Sequence, residues 1–211
     1  MTLNTLKRIA PLLAAMCLCS HAADEKLPSS DLDHARLYID QTRNGVIGAT
    51  KGLSDAQWKF KPAPDRWSIA EVVEHLVLTQ EMVLGPIKEQ LAKTPVAENR
   101  NTHEIDTLVE ARFPDRTFKL QAPEMLQPTG RFTPSAGLER LLRDCATLRD
   151  YLESTPDLRQ HVVAALPLKL ISKGAYDSMD GYEWILAACA HIERHTKQIL
   201  EVKADPKFPA K

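Results

Sequence analysis

The sequence predicts an all-α protein, a four-helix bundle with one long crossover, on three observations. Apolar residues recur at spacings of three and four along four long stretches. Helix-start signals stand where several of those stretches open. No run alternates β-branched and aromatic residues between turn clusters, as half-buried strands do. Four amphipathic helices joined through one long connection pack most simply as a bundle.

The chain opens with a segment to be set apart from the fold. Lys7 and Arg8 precede the apolar run Ile9 to Cys19, and Ser20, His21 and Ala22 follow with small residues where a signal peptidase reads. The run is too short to cross a bilayer. Residues 1–22 are therefore expected to be a signal peptide, 23–211 the folded domain, and the location periplasmic or secreted. Neither Cys17 nor Cys19 follows a small residue, which argues against a lipid anchor.

The first bundle helix is expected from about Asp31 to Lys51, with Leu32, Ala35, Ile39, Val46 and Ile47 as a loose apolar stripe. Ser54 to Gln57 reads as a capping box for a short turn, with Leu53 and Trp58 placed as its hydrophobic staple. A second box, Ser68 to Glu71, opens the next long helix, flanked by Trp67 and Val72. That helix should run to about Lys93, kinked by Pro86 or ended at Gly85, because proline removes a donor and crowds the preceding turn. The proline-rich stretch from Thr94 to Thr133 is the crossover, with a helix over 101–112 and otherwise read as packing rather than chemistry. Thr133 and Pro134 start the third helix, whose Leu138, Leu141, Leu142, Cys145, Leu148 and Leu152 keep close 3–4 spacing up to Pro156. Residues 161–176 read as irregular. Asp180 with Glu183 caps the fourth helix, which runs to about Lys203.

Charge excludes some roles. Without Lys7 and Arg8, 25 basic residues face 28 acidic ones, and no basic stripe is present, so no nucleic-acid partner is expected. No later apolar run approaches the roughly 20 residues of a membrane helix, so no membrane association is expected once the leader is removed. Cys145 and Cys189 remain, either bridged or as two core thiols, a choice set by Cα separation.

His191 and His195 stand one helical turn apart on a stripe with Trp184, Ala188, Gln198 and Val202. Imidazoles so spaced can share one ion without distorting the helix, although most such pairs are packed or surface histidines. Ile192, not glutamate, follows His191, and Glu193 projects about 200° away, so this is not the zinc-peptidase helix. His75 lies on or near the apolar stripe of the second helix, beside Val72, Thr79 and Met82. Cys189 points about 160° from His191, and His34, His103 and His161 lie on polar or irregular segments.

The Trp67-Ser68 helix opening, His75 seven residues after Ser68, and the terminal His191-x-x-x-His195 helix together resemble the DinB superfamily. The similarity covers about Asp31 to Lys203. It implies a bundle of unusual connectivity with His75, His191 and His195 as ligands of one divalent ion, zinc or nickel. Members of that family with known activity are mostly transferases or isomerases that use small thiols; the expectation here is a metal-dependent hydrolase or thiol transferase acting on a small molecule, with a homodimer as a compatible assembly. Three protein ligands leave a coordination position open, as catalytic sites do. A non-catalytic bundle that binds metal or a small ligand is the alternative expectation. No residue outside the three histidines stands out as a general base.

Overall fold

The computed structural model describes residues 26–94, 99–119 and 121–210, so the expected leader lies outside the described residues. Among them are eight α-helices and two short strands: α1 Ser29–Thr50, α2 Asp55–Lys59, α3 Ile69–Thr79, α4 Gly85–Leu91, α5 Thr102–Arg112, α6 Pro134–Ser154, β1 Val162–Ala164, α7 Leu166–Ile171, β2 Ser178–Asp180 and α8 Gly181–Lys203. Four long rods form the bundle: α1, α3 with α4, α6 and α8. Helix α8 packs on α1 and α3, and α6 packs on the same two. The first two rods therefore lie diagonally across the bundle, joined by the segment 51–68 that carries α2. No described helix is long and apolar enough to cross a membrane.

The expected caps form. Ser54 and Ser68 each accept from the backbone N–H three residues on, while Gln57 and Glu71 reach back to the cap N–H. Thr133 caps α6, with Pro134 at its first position. Burial of Ala35, Ile39, Val46 and Ala49 fixes the inner face of α1. Thr42 and Thr50 turn their hydroxyls onto Tyr38 and Val46 carbonyls at 2.9 and 2.8 Å, which allows both into the core.

Three features depart from expectation. The second rod neither kinks simply nor ends at Gly85. It passes through a π-helical turn, Gln80–Leu84, before resuming as α4. Pro86 has no N–H and its ring crowds the carbonyl four residues back, and the wider turn just ahead takes up that clash. Second, the 161–176 stretch contributes β1, which pairs antiparallel with β2, Val163 opposite Met179. Strands of three residues are too short for an alternation signal. Third, α8 is not amphipathic in its first half: Gly181 to Ala187 are all buried, because α1, α5 and the hairpin wrap around it.

A close approach at the start of α8 anchors this arrangement. Gly181 N–H donates to the Leu158 carbonyl at 2.7 Å, and a Cβ on Gly181 would meet Leu158 Cδ2 at 2.7 Å and its carbonyl oxygen at 3.0 Å. Beside it, Arg159 bonds Asp31 and Asp106 and reaches Asp180, tying α1, α5 and the α8 cap together. Burial pushes the Asp180 and Glu183 carboxyls above the usual carboxylate range, against the pull of Arg159 and Arg100. Cys145 and Cys189 are buried free thiols.

Candidate metal centre

His75 enters from the middle of α3, and His191 and His195 from α8. The box at Ser68 sets the start of α3, so His75 faces α8 between the buried neighbours Val72 and Leu76. The ring centroids lie 5.2 Å apart for His75 and His191, 4.7 Å for His75 and His195, and 4.4 Å for His191 and His195. One nitrogen from each ring falls within 4.8 Å of the others, and His191 Nε2 stands 3.0 Å from His195 Nε2. Trp67 covers the cluster, its ring 4.8 Å from His75 and 6.5 Å from His195. It reaches beyond the staple position that the sequence assigns it.

The rings are poised as neutral donors. Burial lowers the pKa of all three, that of His191 to about 3, and the neighbouring histidines push His191 and His195 down further. His75 and His195 are 4% and 6% exposed. His191 retains some exposure as a residue, yet its Nδ1 is shut off from water and has no partner among the described residues.

Outer partners orient two of the rings. His75 Nδ1 faces the Leu126 carbonyl at 2.8 Å, and His195 Nδ1 faces Gln198 Oε1 at 2.8 Å. With Nδ1 so engaged, Nε2 of each ring points inward, the arrangement typical of metal-bound histidine. Two nitrogens on one tetrahedral zinc at 2.0–2.1 Å stand about 3.3 Å apart. The His191–His195 pair already meets that spacing, and His75 needs only a small inward movement. Three neutral imidazoles with convergent lone pairs fit one divalent ion.

The family profile of the DinB superfamily matches residues 38–199. The chain belongs to the DinB superfamily. A relative, the uncharacterized protein YuaE of Bacillus subtilis (strain 168), is 27% identical over 166 residues, covering 78% of this chain and 94% of that protein. Among solved structures, YfiT from Bacillus subtilis superposes with a TM-score of 0.55 at 14% identity, covering 85% of this chain and 89% of that one. YfiT is described as a probable metal-dependent hydrolase with an unusual four-helix bundle topology. At that identity the likeness carries the fold.

The other described histidines stay apart. His34 pairs with Glu110 on the surface, and His161 Nδ1 lies 2.5 Å from the Thr94 carbonyl. His103 and Cys189 are not in the cluster, and Glu193 turns to Tyr38 and Lys197.

Sequence reasoning passed over the crossover's part. Glu74, 3% exposed, accepts the backbone N–H groups of Thr129, Gly130 and Arg131 at 2.9, 2.9 and 3.2 Å. This clamp holds the segment that presents the Leu126 carbonyl to His75. Arg116 and Arg194 tie the crossover to α8, Arg194 through the carbonyls of Asp115 and Phe118. The available signal for Glu74 was an acid between Val73 and His75, beyond the capping turn of a mostly apolar helix: a buried carboxylate needs donors, and its own helix offers none.

Proposed function

We propose that this chain is an exported metal-dependent hydrolase that holds one divalent ion, zinc or nickel, through Nε2 of His75, His191 and His195. The convergence of three neutral rings from two helices, two of them braced from outside, carries the reading. An ion bound there supplies Lewis acidity toward a small-molecule substrate. The protein's own contribution is to keep the rings deprotonated by burial, to aim their Nε2 atoms, and to exclude bulk water with Trp67 and the crossover. Three protein ligands leave room for a further group on the ion. An exported protein works away from the reducing thiol pool, which favours hydrolysis over thiol transfer.

Two measurements test this. Metal analysis of the purified protein should find about one zinc or nickel per chain, lost in His75→Ala. An ester and amide panel, run beside a thiol-conjugation panel, should show turnover in the first that chelation abolishes. Turnover only in the second would move the chain to the thiol transferases. The near-complete burial of His75 and His195 favours a second reading, a non-catalytic metal-binding bundle. Metal uptake with no turnover in either panel would establish it. For export, N-terminal sequencing from the native host should begin after Ala22 or Ala23, and a mature chain starting at Met1 would overturn it.

A further inference from the structure

We propose that Arg116, acting through Gln198, fixes which nitrogen of His195 faces the ion, so that both are positioning residues of the site. The inference rests on the metal reading above.

The argument runs from donors to acceptors. Arg116 Nη1 lies 3.2 Å from Gln198 Oε1. A guanidinium only donates, so the amide must turn its oxygen, not its NH2, toward Arg116. That same oxygen lies 2.8 Å from His195 Nδ1. Having two lone pairs, it accepts from both, and His195 Nδ1 therefore carries the ring proton. The lone pair is left on Nε2, which points at the cluster and stands 3.0 Å from His191 Nε2.

Arg116 is itself held. Its Nε and Nη2 donate to Glu201 Oε1 and Oε2 at 3.0 and 2.7 Å, a two-point pairing one turn beyond Gln198 on α8. Glutamine alone does not specify the tautomer, because its amide can turn either end to the ring. With the NH2 end toward Nδ1, the ring proton would sit on Nε2 and block the ligand position. Arg116 removes that alternative.

The three rings are thus oriented by different means. A backbone carbonyl, which can only accept, fixes His75. The Arg116–Gln198 relay fixes His195. Among the described residues no group fixes His191, whose Nδ1 is buried without a partner there.

Two readouts on the full chain test the relay. In the metal-free protein, histidine-ring nitrogen NMR should find His195 protonated at Nδ1, and Arg116→Met should produce a mixture or the Nε2–H form. Zinc titration against a competing chelator should show affinity falling about 10–100-fold in Arg116→Met and in Gln198→Leu. The deciding variant is Arg116→Met with Gln198→Glu. A carboxylate has no donor end to turn toward His195, so affinity should return to within about threefold of wild type. Arg116→Lys, which keeps a donor, should retain most of it.

Unchanged zinc affinity and an unchanged His195 tautomer in Arg116→Met would overturn the proposal. So would a loss that Gln198→Glu does not restore, because it would make Arg116 a general support of the crossover. If wild type takes up no zinc, the metal reading falls, and the NMR readout alone then supports or overturns the relay.

Discussion

Replacing Glu74 by glutamine preserves its shape and removes its charge, which isolates what the carboxylate does for the crossover. Oε1 accepts from Thr129 and Arg131 N–H, and Oε2 from Gly130 N–H. In the amide one acceptor becomes NH2 and faces a backbone donor, so one charge-assisted bond worth about 1.5–3 kcal/mol is lost. The other two weaken to neutral bonds, at about 1 kcal/mol each. Solvent screening hardly discounts these figures, because Glu74 is 3% exposed. A total near 3–5 kcal/mol corresponds to a fall in melting temperature of roughly 6–20 °C for a domain of this size. Because Leu126 belongs to the same clamped segment, His75 should lose its brace and zinc affinity should fall about tenfold. Thermal unfolding by circular dichroism, zinc titration and limited proteolysis measure the three effects. A melting temperature within about 2 °C of wild type, with residues 121–131 cut no faster, would refute the assignment of Glu74 as the clamp.

Ser68→Ala removes the α3 cap and should cost about 0.5–2 kcal/mol in thermal unfolding, with metal stoichiometry unchanged. Gly181→Ala should destabilise by about 1–3 kcal/mol in denaturant titration, since its Cβ would press on the Leu158 carbonyl oxygen at 3.0 Å as well as on its side chain. The pH dependence follows from burial of the histidines. All three have pKa values below their unfolded value of about 6.5, so unfolding takes up protons once the pH falls below it. Metal-free stability is fully present above that value and declines as pH falls toward the folded His191 value of about 3. His191→Phe should flatten the decline by up to about 1.4 kcal/mol per pH unit, read from melting temperature against pH between 6.5 and 4.5.

How much of this was legible in the sequence divides along physical lines. Caps are local, involving groups three residues apart, and Ser54, Ser68, Thr133 and Asp180 could be read where they stand. The His191 and His195 pair is equally local. That His75 meets them is a tertiary fact, and it was reached through resemblance rather than spacing. Its brace was not legible, because Leu126 contributes a backbone carbonyl, which every residue type has. Gln198 was placed on the histidine stripe, but its amide gains meaning only from Arg116, 82 positions earlier. The π turn escaped because sequence shows that Pro86 must disturb the helix without showing how the disturbance is absorbed.

That turn has a consequence for which changes the chain can tolerate. A π turn holds one residue more than an α-helical turn of the same rod. Wound as continuous α-helix with all five residues kept, Gln80–Leu84 would carry everything after it about 100° further round. His75, upstream, would keep its place. Ile87 and Leu91, now 7% and 5% exposed, would swing off the core while polar neighbours turned in. The stretch works as a phase adjuster between a half that aims His75 and a half that fills the interior. A single deletion inside the turn removes the extra residue and leaves Ile87 and Leu91 facing inward, so a deletion scan read by thermal unfolding should find single losses there milder than single losses in α3.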